Sequence, residues 1–359
     1  MKRESAIHHL RASIGSILVL SAASAGAASF HVSTFATGTA VQATRPDSIA
    51  LTKNSVWVSY TNTTTGTGTG GNSTVVRYRL NGSVQKTYSI AGSVDGLKVD
   101  PSSGLVWALQ NQDGNSALTL IDTEENTASQ PIPYAVKSSA RGVDDVAFKA
   151  GKAYVSYTNP KAPTDATIEL VQEDSNPVVV TPILLAGATG TDLATGLTNQ
   201  PTPQNDPDSL KTTPEGDLIL TSGGDGSLVF VERPGTPKQS VSFLKLLDQT
   251  STPLSSIDDA VFATARKGTF FLTDTGNNRV LKIDADDLRV GTLYVASDGL
   301  NVFAAVNLKT GVVTPAPGVA GLSAPHGVEF VAHDKDGGDC SNNDSNTDAR
   351  VQTGIDPLL

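Results

Sequence analysis

Residues 94–110 read VDGLKVDPSSGLVWALQ, and they contain the unit from which the fold is predicted. Two apolar, strand-like segments flank the turn DPSSG at 100–104, and Asp95 opens the first of them. A tight turn between two such segments is typical of a β-hairpin. A polar loop then leads to a third strand at 117–122 and a weaker fourth strand near 132–136. This stretch therefore predicts a four-stranded antiparallel meander.

The same plan recurs about every 50 residues, which is the signature of a repeat architecture. Each repeat begins with a turn that ends in an aspartate, once a histidine, followed by a small or polar residue and an apolar one. These anchor residues are Asp47, Asp95, Asp144, Asp208, Asp258 and His326. No segment shows a convincing amphipathic helical period. The sequence predicts an all-β fold, a six-bladed β-propeller with four antiparallel strands in each blade.

The longer intervals between anchors indicate added segments. Residues 186–204 are rich in Gly, Thr and Pro and predict a surface insertion, and residues 291–296 form an extra strand-like segment after Asp258. Strands at 269–273 and 279–283 are assigned to the repeat of Asp258. The segment 30–35 is expected to close the last blade as its outer strand, because a closed ring leaves no exposed edge. The last blade then lacks two middle strands, so either it is incomplete or residues 291–314 contribute to it.

Both chain ends differ from the repeats. Residues 1–27 have the basic, apolar and small-residue order of a secretory signal peptide, so we expect a secreted or periplasmic protein with no membrane insertion after cleavage. The propeller is expected at 28–333. Residues 334–359 lack apolar side chains to pack and predict a disordered polar tail.

The composition limits the possible partners. The formal net charge of −10 is unfavourable for nucleic acid and anionic membranes. The only cysteine, Cys340, excludes an internal disulfide. We expect a monomer whose partner is a small molecule or a protein.

The anchors are predicted to form a ring. Turns of an antiparallel meander alternate between the two ends of the strands, so the anchors share one rim with loops rich in Asn, Asp and Gly. Because the first strand of each blade lines the channel, the anchors should surround its mouth. Carboxylates that meet there repel one another, and a hard cation such as Ca²⁺ would relieve the repulsion. Raised pKa values or hydrogen bonds to turn backbone would relieve it as well. The candidate metal ligands are Asp47, Asp95, Asp144, Asp208 and Asp258.

Other side chains on this rim are candidates for binding a ligand. They are Tyr60, Asn111, Tyr157, Asp225, Asp274 and His326. The two tyrosines occupy matching positions in two repeats, which is also typical of packing. Asp145 and Asp259 follow their anchors directly and are expected to point away from the channel into solvent.

Two motifs carry a resemblance to known proteins. They read TDTGNNRV at 273–280 and PHGVEF at 325–330. With the repeat pattern, they resemble NHL-repeat propellers and the related six-bladed gluconolactonases, paraoxonases and diisopropyl fluorophosphatases. The resemblance implies Ca²⁺ at the channel mouth and His326 near a second metal or the substrate. The ligand positions that it implies are Asp47, Asp144, Asp208 and Asp258. Those hydrolases use a glutamate and asparagines where this chain has aspartates.

Two functions follow from these observations. The first is a propeller that binds a ligand on its acidic loop face, with Ca²⁺ as its expected cofactor and no demonstrable catalytic constellation. The alternative is a Ca²⁺-dependent lactonase or esterase-like hydrolase of the gluconolactonase type, in which an aspartate acts as general base. No nucleophile elbow for Ser-His-Asp catalysis is present.

Overall fold

A computed structural model describes residues 28–135, 141–172 and 175–333, which form six sheets. The innermost strands of neighbouring sheets contact one another in a closed ring. The predicted six-bladed β-propeller is confirmed. The expected signal peptide at 1–27 and polar tail at 334–359 lie outside the described residues. In the described ranges, no helix has the length and hydropathy to cross a membrane.

Blades 1 to 4 follow the chain, with the innermost strand first. Blade 1 contains β2 (Pro46–Thr52), β3 (Ser55–Tyr60), β4 (Asn72–Arg79) and β5 (Val84–Ala91), while β1 (Ser29–Thr37) belongs to the last blade. Blade 2 contains β6 (Val94–Val99), β7 (Val106–Gln110) and β8 (Ala117–Asp122), and its outer edge is split into β9 (Thr127–Ala128) and β10 (Ile132–Pro133). Blade 3 contains β11 (Val143–Lys149), β12 (Lys152–Tyr157), β13 (Ala166–Gln172) and β14 (Val179–Leu185).

Blade 4 carries the insertion predicted at 186–204. The insertion folds into a hairpin of β15 (Thr189–Asp192) and β16 (Gln200–Pro201). The blade itself contains β17 (Pro207–Thr212), β18 (Leu218–Ser222), β19 (Ser227–Glu232) and β20 (Ser240–Lys245). β15 pairs in parallel with β20 and so extends the outer edge of the sheet. Short 3₁₀ turns lie at Gly38–Val41, Gly223–Asp225 and Thr275–Asn277.

Blades 5 and 6 exchange strands. The chain forms β21 (Asp259–Phe262), β22 (Gly268–Asp274), β23 (Arg279–Asp286), β24 (Leu293–Ser297), β25 (Val302–Val306), β26 (Val313–Pro315) and β27 (Pro325–Ala332). Blade 5 has the order β21-β24-β25-β26, and blade 6 has the order β27-β22-β23-β1. The chain thus leaves blade 5 after one strand, builds the middle of blade 6, returns to finish blade 5, and ends as the inner strand of blade 6.

This topology corrects the assignment made from sequence. Strands near 269–273 and 279–283 do not belong to the blade of Asp258, because they pair with β27, which carries His326, and with β1. Residues 291–314 do not complete the sixth blade, because they supply the second to fourth strands of the fifth. Both blades therefore have four strands. The expected closing role of the N-terminal strand is confirmed, since β1 pairs along most of β23.

Aromatic side chains explain why the exchanged arrangement is stable. Phe270 of β22 lies at ring-centroid distances of 4.9 Å from Tyr294 and 5.1 Å from Phe303, which both belong to blade 5. It also lies 4.6 Å from Phe330 of β27, and Phe30 of β1 contacts Tyr294. Such aromatic pairs contribute about 0.5–1.5 kcal/mol each beyond the area that they bury. The exchange therefore buries one continuous aromatic cluster between the two blades.

The innermost strands share a local irregularity at their anchors. Pairing between the first and second strands shifts register beside the anchors of blades 1 to 4 and beside His326. Such bulges re-aim side chains and leave backbone groups without ladder partners. Hydroxyl groups of the second strand satisfy several of these groups: Ser48 N–H donates to Ser59 Oγ (3.0 Å) and Asp145 N–H donates to Ser156 Oγ (2.9 Å).

Candidate functional site

Three anchor carboxylates meet at the mouth of the channel. Asp95, Asp144 and Asp208 come from the inner strands of blades 2, 3 and 4. Each offers one carboxylate oxygen, and these oxygens all lie within 4.8 Å of one another. We refer to these three residues as the carboxylate triad. Its arrangement could hold a metal ion, as the ring of anchors implies.

The other three anchors form a hydrogen-bonded group beside the triad. His326 Nδ1 lies 2.7 Å from Asp47 Oδ1 and 3.2 Å from Asp258 Oδ1. The imidazole therefore bridges carboxylates of the two blades that flank its own. Its side chain is one-quarter exposed. The structure thus brings all six predicted anchors together, three as a triad and three as a bridged group.

Burial and mutual repulsion shift the acid–base equilibria of the ring. Burial raises the pKa of Asp95 to about 8, and the charge of Asp47 adds to this effect. Burial raises the pKa of Asp144 well above its usual value, with further contributions from Asp95 and Asp208. The pKa of Asp208 is also raised strongly, first by burial and then by Asp258. Each triad carboxylate therefore holds a proton more tightly than a solvated aspartate does.

The bridged group behaves differently. Burial raises the pKa of Asp258 to about 7, although the charge of His326 opposes the shift. Burial alone would lower the pKa of His326, but Asp258 and Asp47 outweigh burial and raise the pKa to about 10. The imidazole is therefore a cation at neutral pH, and it compensates part of the negative charge of the ring.

A second set of acidic residues lies on the loop side of the ring, and sequence reasoning missed it. Asp206 precedes the anchor of blade 4, and burial raises its pKa, with contributions from Asp113 and Asp95. Asp298 follows β24 and acts on both Asp206 and Asp258. Asp298 Oδ1 is buried without a hydrogen-bond partner among the described residues. Loops that follow second strands were expected to lie on this rim. The predicted topology did not contain the strand exchange, so it did not identify residues 298–301 as the loop after the second strand of blade 5.

The residues that follow the anchors on the inner strands belong to a buried charged layer. The prediction that Asp145 and Asp259 point into solvent was therefore wrong. Asp145 and Asp259 are only 3% and 2% exposed, so neither is solvated. Asp145 pairs with Lys98 (3.4 Å) and Asp259 pairs with Lys211 (2.9 Å). Both lysines also contact Glu329, at 3.4 and 2.8 Å. For Asp145, the bulge beside its anchor breaks the simple alternation of side chains. Asp259 lies inward because it pairs with Lys211 and accepts from Val328 N–H.

The predicted tyrosines lie in the core. Tyr60 is 0% exposed and its hydroxyl lies 2.8 Å from that of Tyr78. Tyr157 is 1% exposed, with the Arg141 guanidinium 4.5 Å from its ring centroid. Neither ring is open to a ligand, so packing is the role that the structure gives to these matching positions. A cation–π contact of the kind that Arg141 makes stabilises a buried ring.

The remaining predicted ligand-binding residues organise turns. Asn111 Oδ1 accepts from Ser93 N–H (3.1 Å), and Asp225 Oδ2 accepts from Asn205 N–H (2.7 Å). Asp274 is fully buried and pairs with Arg279 Nε at 2.7 Å. These three side chains therefore connect turns to other parts of the chain. Of the six candidates, only His326 joins the ring.

The residues of the ring fit a hard cation. Every group that the triad offers is a carboxylate oxygen, the ligand that Ca²⁺ and Mg²⁺ prefer. Carboxylate oxygens also suit Mn²⁺, so the triad could hold any of several hard divalent cations.

The fold and the ring define this protein as a six-bladed β-propeller with an acidic axial mouth. No protein-family model matches the chain, and no curated protein is similar to it in sequence. Solved structures similar to it include virginiamycin B lyase from Staphylococcus aureus, which is 11% identical over 85% of this chain and 96% of that one, with a TM-score of 0.48.

Two further solved structures show the same degree of similarity. Periplasmic gluconolactonase from Pseudomonas aeruginosa is 12% identical over 80% of this chain and 88% of that one, with a TM-score of 0.47. A protein of unknown function from Bacteroides thetaiotaomicron is 12% identical over 84% of this chain and 70% of that one, with a TM-score of 0.49. At these identities the similarity describes the architecture and not the activity.

Proposed function

We propose that this protein binds a divalent cation, with Ca²⁺ preferred, in the acidic mouth of its channel, and that its loop face holds a ligand there. The observation that carries the proposal is the carboxylate triad, whose oxygens lie within 4.8 Å of one another. The three residues come from three different blades. Only the assembled ring brings them together.

The electrostatic cost of the triad supports a bound cation. Two unit charges 4.8 Å apart repel by about 3.5 kcal/mol at an effective dielectric of ~20. Three such pairs amount to about 10 kcal/mol, comparable to the ~5–15 kcal/mol net stability of a whole domain. The triad therefore needs either protons or a cation at neutral pH. A dication that contacts all three oxygens removes the repulsion without protonation.

The chemistry of the ring supports Ca²⁺ among the hard cations. Ca²⁺ accepts six to eight oxygen ligands in flexible geometry, whereas Mg²⁺ requires a small and regular octahedron. Carboxylates that are fixed on three separate strands do not form a small regular octahedron by themselves, so they suit the larger ion better. The proposal includes a secreted or periplasmic location, because residues 1–27 have the order of a signal peptide and weak extracellular Ca²⁺ sites are common.

A Ca²⁺-dependent hydrolase is the second candidate, and the Asp258 carboxyl favours it. Its pKa of about 7 and its partial exposure are those of a group that can accept a proton from water near neutral pH. His326 holds this carboxyl at 3.2 Å and is itself fixed by Asp47. A cation bound in the triad would polarise a substrate carbonyl. The residues of this chain would then orient a water molecule and hold its proton on Asp258.

Titration calorimetry tests the cation site directly. Wild-type protein is expected to bind Ca²⁺ more tightly than Mg²⁺ at pH 8. Asp144→Asn removes one of three carboxylates and should weaken Ca²⁺ binding by at least about tenfold. Asp287→Asn is the matched control, because Asp287 is exposed and pairs with exposed Arg266. Absence of Ca²⁺ binding by the wild-type protein would refute the proposal.

The hydrolase candidate requires its own test. Turnover of a panel of small lactones and esters is measured with Ca²⁺ and with chelator. Asp258→Asn should abolish turnover while Ca²⁺ binding persists, since Asp258 lies outside the triad. Ca²⁺ binding without turnover would leave the ligand-binding function and exclude hydrolysis of the substrates in the panel.

A further inference from the structure

Residues that directly follow the anchors differ around the ring. Blades 1, 3 and 5 carry Ser48, Asp145 and Asp259 at this position. Blades 2 and 6 carry Gly96 and Gly327, and blade 4 carries Ser209.

Ser48, Asp145 and Asp259 each bind the backbone of the next blade. Leu210 N–H donates to Asp145 Oδ2 at 3.1 Å, and Val328 N–H donates to Asp259 Oδ2 at 2.8 Å. Ser48 Oγ donates to the backbone carbonyl of Asp95. The two amides belong to the bulges that present Asp208 and His326 at the mouth. All three bonds therefore fasten the backbone that carries a ring residue.

The two carboxylates of this set are themselves held by lysines. Lys211 lies 2.9 Å from Asp259, and its ammonium also donates to Val328 C=O at 2.9 Å. Lys98 lies 3.4 Å from Asp145. A carboxylate with a charged partner and a backbone donor has little freedom to move. The backbone N–H and C=O of Val328 are thus both bound by this layer.

The glycines of blades 2 and 6 allow close contact between inner strands. A Cβ added to Gly327 would lie 2.6 Å from the carbonyl oxygen of Asp47. A Cβ at Gly96 would collide with the carbonyl oxygen of Asp144. A side chain at either glycine would push the neighbouring inner strand away.

We infer that Ser48, Asp145 and Asp259 are positioning residues that fix where Asp95, Asp208 and His326 stand at the channel mouth. A side chain on a bulge moves with the backbone of that bulge, and these bonds fix the backbone to a side chain of the neighbouring blade. The inference rests on the proposed cation site, because it states that these three residues keep the carboxylate oxygens of the site at a fixed separation. Outer-shell partners of metal ligands commonly affect affinity about 10–100-fold.

A matched pair of double variants isolates the bond to Leu210. Asp145→Ala with Lys98→Met removes the acceptor and the lysine charge together, so no unpaired ammonium remains. Asp145→Asn with Lys98→Met also removes both charges but keeps an amide oxygen for the Leu210 N–H. Eu³⁺, a Ca²⁺ mimic, is the probe. Its luminescence lifetimes in H₂O and D₂O give the number of bound waters, and titration gives the affinity.

The alanine pair is expected to bind Eu³⁺ about 10–100-fold more weakly than wild type, with about one additional bound water where Asp208 has moved away. The asparagine pair is expected to restore wild-type hydration and most of the affinity. Equal hydration and affinity in both pairs would overturn the inference. A wild-type protein that binds no Eu³⁺ or Ca²⁺ would instead refute the proposed cation site.

Ser48→Ala provides the second test if the double variants do not fold. It removes only one hydroxyl, and Ser48→Thr is its conservative partner. The alanine variant should show weaker Eu³⁺ binding with an additional bound water, and the threonine variant should show neither. A Ser48→Ala variant with unchanged hydration and affinity would count against the inference.

Discussion

Replacing Asp144 by asparagine is expected to stabilise the metal-free protein and to reduce its stabilisation by Ca²⁺. Asn has the shape of Asp but no charge, so it removes two of the three repulsions within the triad. At full ionisation these two repulsions amount to about 7 kcal/mol. Protonation relieves part of them, because a proton held at pH 8 on a carboxyl with an ordinary pKa near 4 costs about 5 kcal/mol.

The metal-free protein adopts whichever is less costly, repulsion between ionised carboxylates or protonation of one of them, and that lower free-energy cost limits how much the substitution can stabilise it. We expect a gain of about 2–5 kcal/mol at pH 8, which falls by about 1.4 kcal/mol for each unit of lower pH. At roughly 2–4 °C per kcal/mol, the melting temperature should rise by about 5–15 °C at pH 8 in chelator. With Ca²⁺ at 100 times the wild-type dissociation constant, wild-type protein should gain about 2.7 kcal/mol, and a variant that binds tenfold or more weakly should gain about 1.4 kcal/mol or less.

Thermal melts followed by circular dichroism measure both effects, in chelator and in Ca²⁺, at pH 6 and pH 8. The exposed Asp287→Asn variant should match wild type in all four conditions, since exposed ion pairs contribute about 0–1 kcal/mol. A lower melting temperature for Asp144→Asn in chelator at both pH values would refute the reasoning. It would show that the carboxylate serves as a hydrogen-bond acceptor and not as a source of repulsion.

Three further predictions concern pH, the bridging histidine and ring closure. In chelator, the wild-type melting temperature should fall from pH 6 to pH 9. The folded-state pKa values of Asp258 (about 7), Asp95 (about 8) and His326 (about 10) all exceed their ordinary values, so the folded state binds more protons than the unfolded state. A rise of the melting temperature over this interval would contradict these raised pKa values. His326→Gln leaves the carboxylates of Asp47 and Asp258 without the charged imidazole between them. The free energy of unfolding in chelator, measured by urea denaturation, should fall by about 2–4 kcal/mol at pH 7 and by less at pH 10. Equal losses at both pH values would argue against a charged imidazole. Deletion of residues 29–37 exposes the edge of β23 and should give aggregated protein in size-exclusion chromatography, so a monomeric and fully folded product would show that the last blade needs no N-terminal strand.

The repeat pattern predicted the blades because it depends on local chemistry. Turns such as DPSSG at 100–104 and alternating apolar residues mark strands, and anchors at regular spacing mark the inner strand of each blade. The ring of Asp47, Asp95, Asp144, Asp208, Asp258 and His326 followed from the same spacing. Each of these inferences needs only the order of residues within one repeat.

The strand exchange could not be predicted in this way. Residues 269–273 and 293–297 have equivalent apolar patterns, so either segment can be the second strand of blade 5. Contacts between Phe270, Tyr294 and Phe303 decide between them, and these contacts exist only in the assembled pair of blades. The predicted orientation of Asp145 failed for a related reason. The bulge beside its anchor shifts the alternation of side chains by one residue, and the sequence of a single strand does not predict a bulge. Asp259 is buried by partners on other strands, Lys211 and Val328.

The interleaving of blades 5 and 6 has consequences for how this protein comes apart. Ser33 bonds to Lys282, 249 positions later, and both residues lie in a sheet whose innermost strand, β27, is the last strand of the described residues. Contacts so distant in sequence make assembly slow. Opening of either sheet at the seam disrupts both, because the strands of the two blades alternate along the chain. The two blades are therefore expected to unfold as one cooperative unit.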